Sequence, residues 1–169
     1  MSQNKEDIDK SVLHCTEAIF LPPLSRDGSY LNNIFKLFYH LACALLERSE
    51  VSKQFEGLKH SIEYLRYLHG LDLDPFDLPR DLVTASLIRA LGTQVCFDSG
   101  DATRNIKEML VLFRELLTID LSAGFPGDIC PHLTAAVLAE SHRGRVQPLD
   151  QVIECLRDAA KMCSQIRTA

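Results

Sequence analysis

Cys130-Pro131-His132 is the one place in this chain where a thiol and an imidazole lie two residues apart. Such a pair is a fragment of a cysteine nucleophile or of a metal site. A nucleophile, however, needs a base held against it in space, and proximity in sequence does not supply that orientation. A stand-alone enzyme built on Cys130 and His132 is therefore carried as the lesser alternative. No GxxxxGK[ST], GxGxxG, GxSxG or HExxH pattern occurs, so phosphate-cradling, hydrolase-elbow and zincin readings have no starting point. The expectation is a chain with no catalytic residues, no metal and no cofactor.

Other groups that titrate or bind cations are read more plainly. His14 and His60 could act as pH sensors, yet each sits among acidic and lysine residues on a polar helix face and is expected to be solvated. Asp7/Asp9 and Asp72/Asp74 have the first spacing of a calcium loop without its further oxygens or its distal glutamate, and are expected to cap helices and shape turns. Six cysteines, none in CxxC spacing, fall mostly in apolar helical patterns and are expected to be buried free thiols.

The polar residues that could meet a partner form two stripes. Asn32, Lys36, His40 and Cys43 recur at three- and four-residue spacing, with Tyr39 beside them, so one helix face carries them all. Ser86, Arg89 and Thr93 form the matching stripe further on, with Arg89 the only charge between Leu82 and Phe97. The expected partner-binding set is Asn32, Lys36, Tyr39, His40, Arg89 and Thr93, contacting an extended or helical peptide. The alternative is that the same residues bond helix to helix.

Helices must position these stripes. Apolar residues repeat as Ile34, Leu37, Phe38, Leu41, Leu45 and as Ile106, Leu110, Phe113, Leu117, and no segment sustains two-residue alternation. The fold class is all-α. Stretches dense in Pro, Gly, Ser and Asp at 21–29, 70–79, 121–131 and 143–148 break the pattern. A helix over 30–48 is expected to yield at Ser49-Glu50-Val51-Ser52 to a second ending near His69. Another over 81–97 gives way, with Asp101 as N-cap, to one through Ile119. The predicted organisation is a single domain, 1–169, with an unpaired first helix over 5–20 and hairpins over 30–69, 81–119 and 131–166.

Val12, Leu58, Ile106 and Ile153 occupy corresponding places, 46, 48 and 47 residues apart, and Ile19, Leu65, Phe113 and Ala160 follow each by seven. A fixed period with helix-turn-helix content marks a solenoid, whose hairpins bury their apolar faces only by stacking. The segments DIDKSVLHCTEAIFLPPL, LACALLERSE, FEGLKHSIEYLRYLHGLDLDPFDLPRDLVTASLIRALGTQV and IKEMLVLFRELLTIDLS resemble the tetratricopeptide-like arrays of fungal proteins, which often precede a caspase-like CHAT protease domain. The resemblance lacks the usual Trp-Leu-Gly-Tyr signature positions, and the unit is longer than the usual ~34 residues. It implies a protein-protein interaction scaffold whose groove is lined by the first helix of each hairpin, or a regulatory or oligomerisation segment of a larger CHAT-type protein.

Bulk properties narrow the partners. Eighteen basic residues against 23 acidic give a net charge of −5, with no basic block, which argues against nucleic acid and anionic membranes. The polar, acidic start MSQNKEDIDK is unlike a signal or transit peptide. A soluble, cytoplasmic setting is expected, with a protein or peptide partner and the apolar edge of 5–20 available for end-to-end self-association.

Overall fold

The computed structural model describes residues 2–20, 28–53, 55–73, 77–97, 102–118 and 129–142, together with 150, 153, 154 and 157. Among these residues the chain is all-helical, with no strand. The helices are α1 (Ser2–Phe20), α2 (Gly28–Ser52), α3 (Phe55–His69), α4 (Arg80–Phe97), α5 (Ala102–Thr118) and α6 (Ile129–His142). The chain divides into two compact units, Met1–Ser86 and Leu87–Ala169, so the boundary falls within α4.

In the first unit α2 packs against both α1 and α3. Its core is Leu41, Ala42 and Leu46 from α2, Leu58, Ile62, Leu65 and Leu68 from α3, Ile8 from α1, and Leu73, Leu78 and Val83 beyond. Leu58, Ile62, Leu65 and Leu68 recur at three- and four-residue steps, the spacing that puts a stripe on one helix face. Each such leucine, taken fully out of water, contributes roughly 1.5–3 kcal/mol. The hairpin is also tied by a buried polar contact: Ser61 Oγ donates to the carbonyl of Ala42 at 2.7 Å. Glu56 in the first turn of α3 and Arg66 and His69 in its last suit the helix dipole.

Serine explains where α2 ends. The residues Ser49-Glu50-Val51-Ser52 were expected to break the helix, but Ser49 Oγ donates to the Leu45 carbonyl at 2.7 Å and Ser52 Oγ to that of Arg48 at 2.6 Å. Both hydroxyls are satisfied by the preceding turn, so the helix carries on through them. The break comes at Lys53, whose φ of 55° is the left-handed conformation that ends helices.

The second unit is built on Leu87, Ile88, Leu91 and Val95 of α4, Ile106, Met109, Leu110, Phe113 and Leu116 of α5, and Ala136 of α6. Asn105, 2% exposed, donates its amide to Gln94 Oε1 at 2.8 Å, so α4 and α5 share a polar contact beside the apolar one. At Gly92 α4 comes close to α6. A Cβ there would lie 3.1 Å from both Cβ and the carbonyl oxygen of His132.

The thiols differ from expectation. Cys15 and Cys43 are half-buried, while Cys96 is exposed near the end of α4. Desolvation pushes the Cys15 thiol up from its ordinary pKa, which keeps it protonated and unreactive. The predicted cap Asp101, and most of the expected helix after 148, lie outside the described residues.

Candidate functional site

The stripe chosen from sequence on α2 lies against the segment that leads into α4. Lys36 Nζ is 2.8 Å from Asp77 Oδ2. This ion pair holds the Asp77 carboxyl below the usual carboxylate range, through the hydrogen bond first and the charge second. Asp77 has a φ of 48°, a conformation that side chains rarely adopt, so Lys36 grips a strained turn immediately before α4.

One turn along, the Tyr39 hydroxyl and Ser86 Oγ share a hydrogen bond of 3.1 Å, and Cys43 Sγ makes a longer contact of 3.9 Å with the same serine. Burial pushes the Tyr39 phenol up to about 12, against the opposing effect of the bond to Ser86. At neutral pH it is therefore a hydroxyl and a hydrogen-bonding partner, not a phenolate or a base. The Tyr39 ring lies 5.8 Å from that of His40, which is exposed. Asn32 is half-buried, and its Oδ1 has no hydrogen-bond partner among the described residues.

Lys36, Tyr39 and Cys43 are thus turned to intramolecular contacts, and His40 presents its ring to solvent. In the second unit Arg89 is half-buried and Thr93 is buried at 8% exposure. Sequence reasoning missed Asp77, which stands in a Pro-rich loop 41 residues from its partner. No local spacing could have signalled it.

The remaining chemical candidates separate. Cys130 and His132 both lie in the first turn of α6. His14 is well exposed, 3.6 Å from Glu17. His60 is exposed and stacks on Tyr64 at 6.5 Å, and Tyr64 in turn tilts against Phe38 at 5.7 Å. Of the aspartates, Asp7 and Asp72 are exposed. Asp9 Oδ1 sits 3.1 Å from Arg48 Nε, an ion pair of α1 with α2 that is not aligned as a hydrogen bond. Asp74 lies outside the described residues. Among the described residues no group of three or more His, Cys, Asp or Glu could hold a metal ion, and no helix is long and apolar enough to cross a membrane.

Comparison of the chain with protein-family models, with curated proteins and with solved structures finds no match.

Proposed function

We propose that this chain is a tetratricopeptide-like helical-repeat scaffold that binds a protein or peptide through the polar faces of its first-in-pair helices. The observation that carries this reading is the contact between Tyr39 and Ser86, which are 47 residues apart. That separation equals the sequence period. Stacking like hairpins brings like positions together, and here corresponding positions of α2 and α4 touch. The apolar anchors agree: Leu58 and Leu65 on α3, and Ile106 and Phe113 on α5, are fully buried at matching places. Val12 and Ile19 on α1 are half-buried.

Within such a scaffold Tyr39 and Thr93 form framework, and the contact surface narrows to the groups that water reaches. His40 is the most open of these. Lys36, with 34% of its side chain exposed, supplies a cation suited to an acidic peptide.

The test is affinity capture with the purified chain, identification of the captured protein, and calorimetric titration of that protein against three forms. Wild type should bind saturably. His40→Glu and Lys36→Ala should each bind at least about tenfold more weakly, a loss of about 1.4 kcal/mol, with helical circular dichroism unchanged. Equal affinity for all three removes this surface. Failure to find any saturable partner removes the scaffold reading itself.

A further inference from the structure

On α5 the buried residues Asn105, Ile106, Met109 and Phe113 mark one side, and helical geometry, at about 100° per residue, puts Val111 about 180° from the middle of that side. Val111 is 63% exposed, more than any other large apolar residue among those described. Three exposed cations surround it, Arg104 about 20° to one side and Lys107 and Arg114 about 40° and 60° to the other. None of the three makes an ion pair among the described residues. We propose that this face docks a helix of another protein that carries acidic side chains in matching steps around one apolar residue.

Folding does not account for the valine. A β-branched residue suits a helix less well than alanine does, and one this exposed adds little to the core. In a contact it supplies the apolar centre, with unpaired cations around it that a partner's carboxylates would meet. The spacing fixes the partner's shape. Along the helix axis Lys107 lies about 4.5 Å beyond Arg104, and Arg114 about 10.5 Å beyond Lys107. A second helix lying alongside reproduces those rises at steps of three and seven residues, all on one face. An extended chain places like-facing side chains about 6.7 Å apart and fits neither step.

Other occupants fit this face less well. A second copy running antiparallel sets Lys107 and Arg114 against their own kind, since a two-fold axis then brings like flanks together. One running parallel sets Arg104 level with Arg104 and draws on Glu108 and Glu115, which already have contacts of their own. Those two glutamates are half-buried and border the strip on the Arg104 side. The continuous phosphate of nucleic acid or of an anionic membrane would meet their carboxylates together with the cations, on a chain that carries −5 overall. A helix confines its acids to the line from Arg104 through Lys107 to Arg114. A lone valine is also too little apolar surface to enter a bilayer.

The test is a nuclear magnetic resonance titration of the full chain, at low salt under reducing conditions, with an alanine-rich helical peptide of pattern Glu-x-x-Glu-x-x-x-Leu-x-x-Glu. Amide shifts should saturate below about 1 mM peptide and centre on α5, and salt should weaken the binding. A peptide of the same composition with its glutamates spread around the helix should bind at least about threefold more weakly. Arg104→Glu/Arg114→Glu should weaken binding at least about tenfold and Val111→Ser about threefold, with helical content kept. Reversing both sides, Arg104→Glu/Lys107→Glu/Arg114→Glu against a peptide with lysine for glutamate, should restore affinity to within about threefold. No saturable binding, equal binding of the rearranged peptide, or a double reversal that fails to recover overturns the proposal. Phosphatidylserine vesicles or a short DNA duplex bound through the same residues in preference to the peptide overturns it too, as does α5 shifting with protein concentration alone. The proposal does not rest on the partner-binding reading of α2 and α4: His40→Glu should leave this titration unchanged, so the two surfaces fail separately.

Discussion

Gly92 and Gly57 sit at close helix-helix approaches, and replacing each by alanine should move stability in opposite directions. In both helices alanine is favoured over glycine by about 1 kcal/mol. The obstacles differ. At Gly92 the new Cβ meets Cβ and the carbonyl oxygen of His132 at 3.1 Å, and Met109 Cε at 3.2 Å. The methionine end can swing aside, but the first two atoms belong to α6 itself or stand next to its backbone. The helix must shift by a few tenths of an ångström, and overpacking of this kind costs about 1–3 kcal/mol. Gly92→Ala should therefore lose about 1 kcal/mol net. At Gly57 the nearest atom is Ser49 Oγ, also at 3.1 Å, and the next are Leu45 atoms at 3.6 and 3.7 Å. That hydroxyl is the end of a side chain and can give by the few tenths of an ångström required while keeping its bond to the Leu45 carbonyl. Gly57→Ala should be neutral or stabilise by up to about 0.5 kcal/mol. Urea unfolding followed by circular dichroism reads both. With a slope near 2 kcal/mol/M, the Gly92 variant should unfold about 0.5 M earlier. Hydrogen exchange should place its loss in α4 and α6. A Gly92→Ala chain as stable as wild type, or a Gly57→Ala chain that loses as much, would refute the distinction between backbone and rotatable obstacles.

Three further outcomes follow from single contacts. Tyr39 has its pKa raised from 10.0 to about 12 in the folded chain, so folded and unfolded states both hold the proton below pH 10 and only the unfolded state releases it between pH 10 and 12. Stability should fall across that window by up to about 2–3 kcal/mol; Tyr39→Phe should flatten that part of the decline in alkaline denaturation, and an identical decline would contradict the burial argument. Asn105→Ala removes a 2%-exposed amide that bonds Gln94 and should cost about 1–3 kcal/mol in urea unfolding, with a Gln94→Leu/Asn105→Leu double variant costing less. Lys53→Gly, at a φ of 55°, should raise the melting temperature by an amount equivalent to about 0.5–1 kcal/mol, since glycine adopts that conformation without strain.

What could be read from the sequence depended on the range of the interaction involved. The helical class and the buried anchors Leu58, Leu65, Ile106 and Phe113 follow from local periodicity, which fixes the face a residue shares with its neighbours three and four positions away. The end of α2 was misplaced by four residues because serine counts as a breaker only while its hydroxyl lacks an acceptor, and Ser49 and Ser52 each find one in the turn before. Cys96 was expected inside because its segment is apolar, yet it lies in the last turn of α4, where that helix no longer buries all its faces.

The polar stripe is the instructive case. Spacing on one helix gathered Asn32, Lys36, Tyr39, His40 and Cys43 correctly onto neighbouring positions, but whether such a stripe faces solvent or another segment depends on what the chain brings back over it. Here residues 77–86 return to it, and they engage Lys36, Tyr39 and Cys43 through Asp77 and Ser86. The return to Tyr39 comes 47 residues along the chain, at Ser86. Which members of a stripe stay open is therefore decided by a segment 41 to 47 residues further on, not by the helix that carries them.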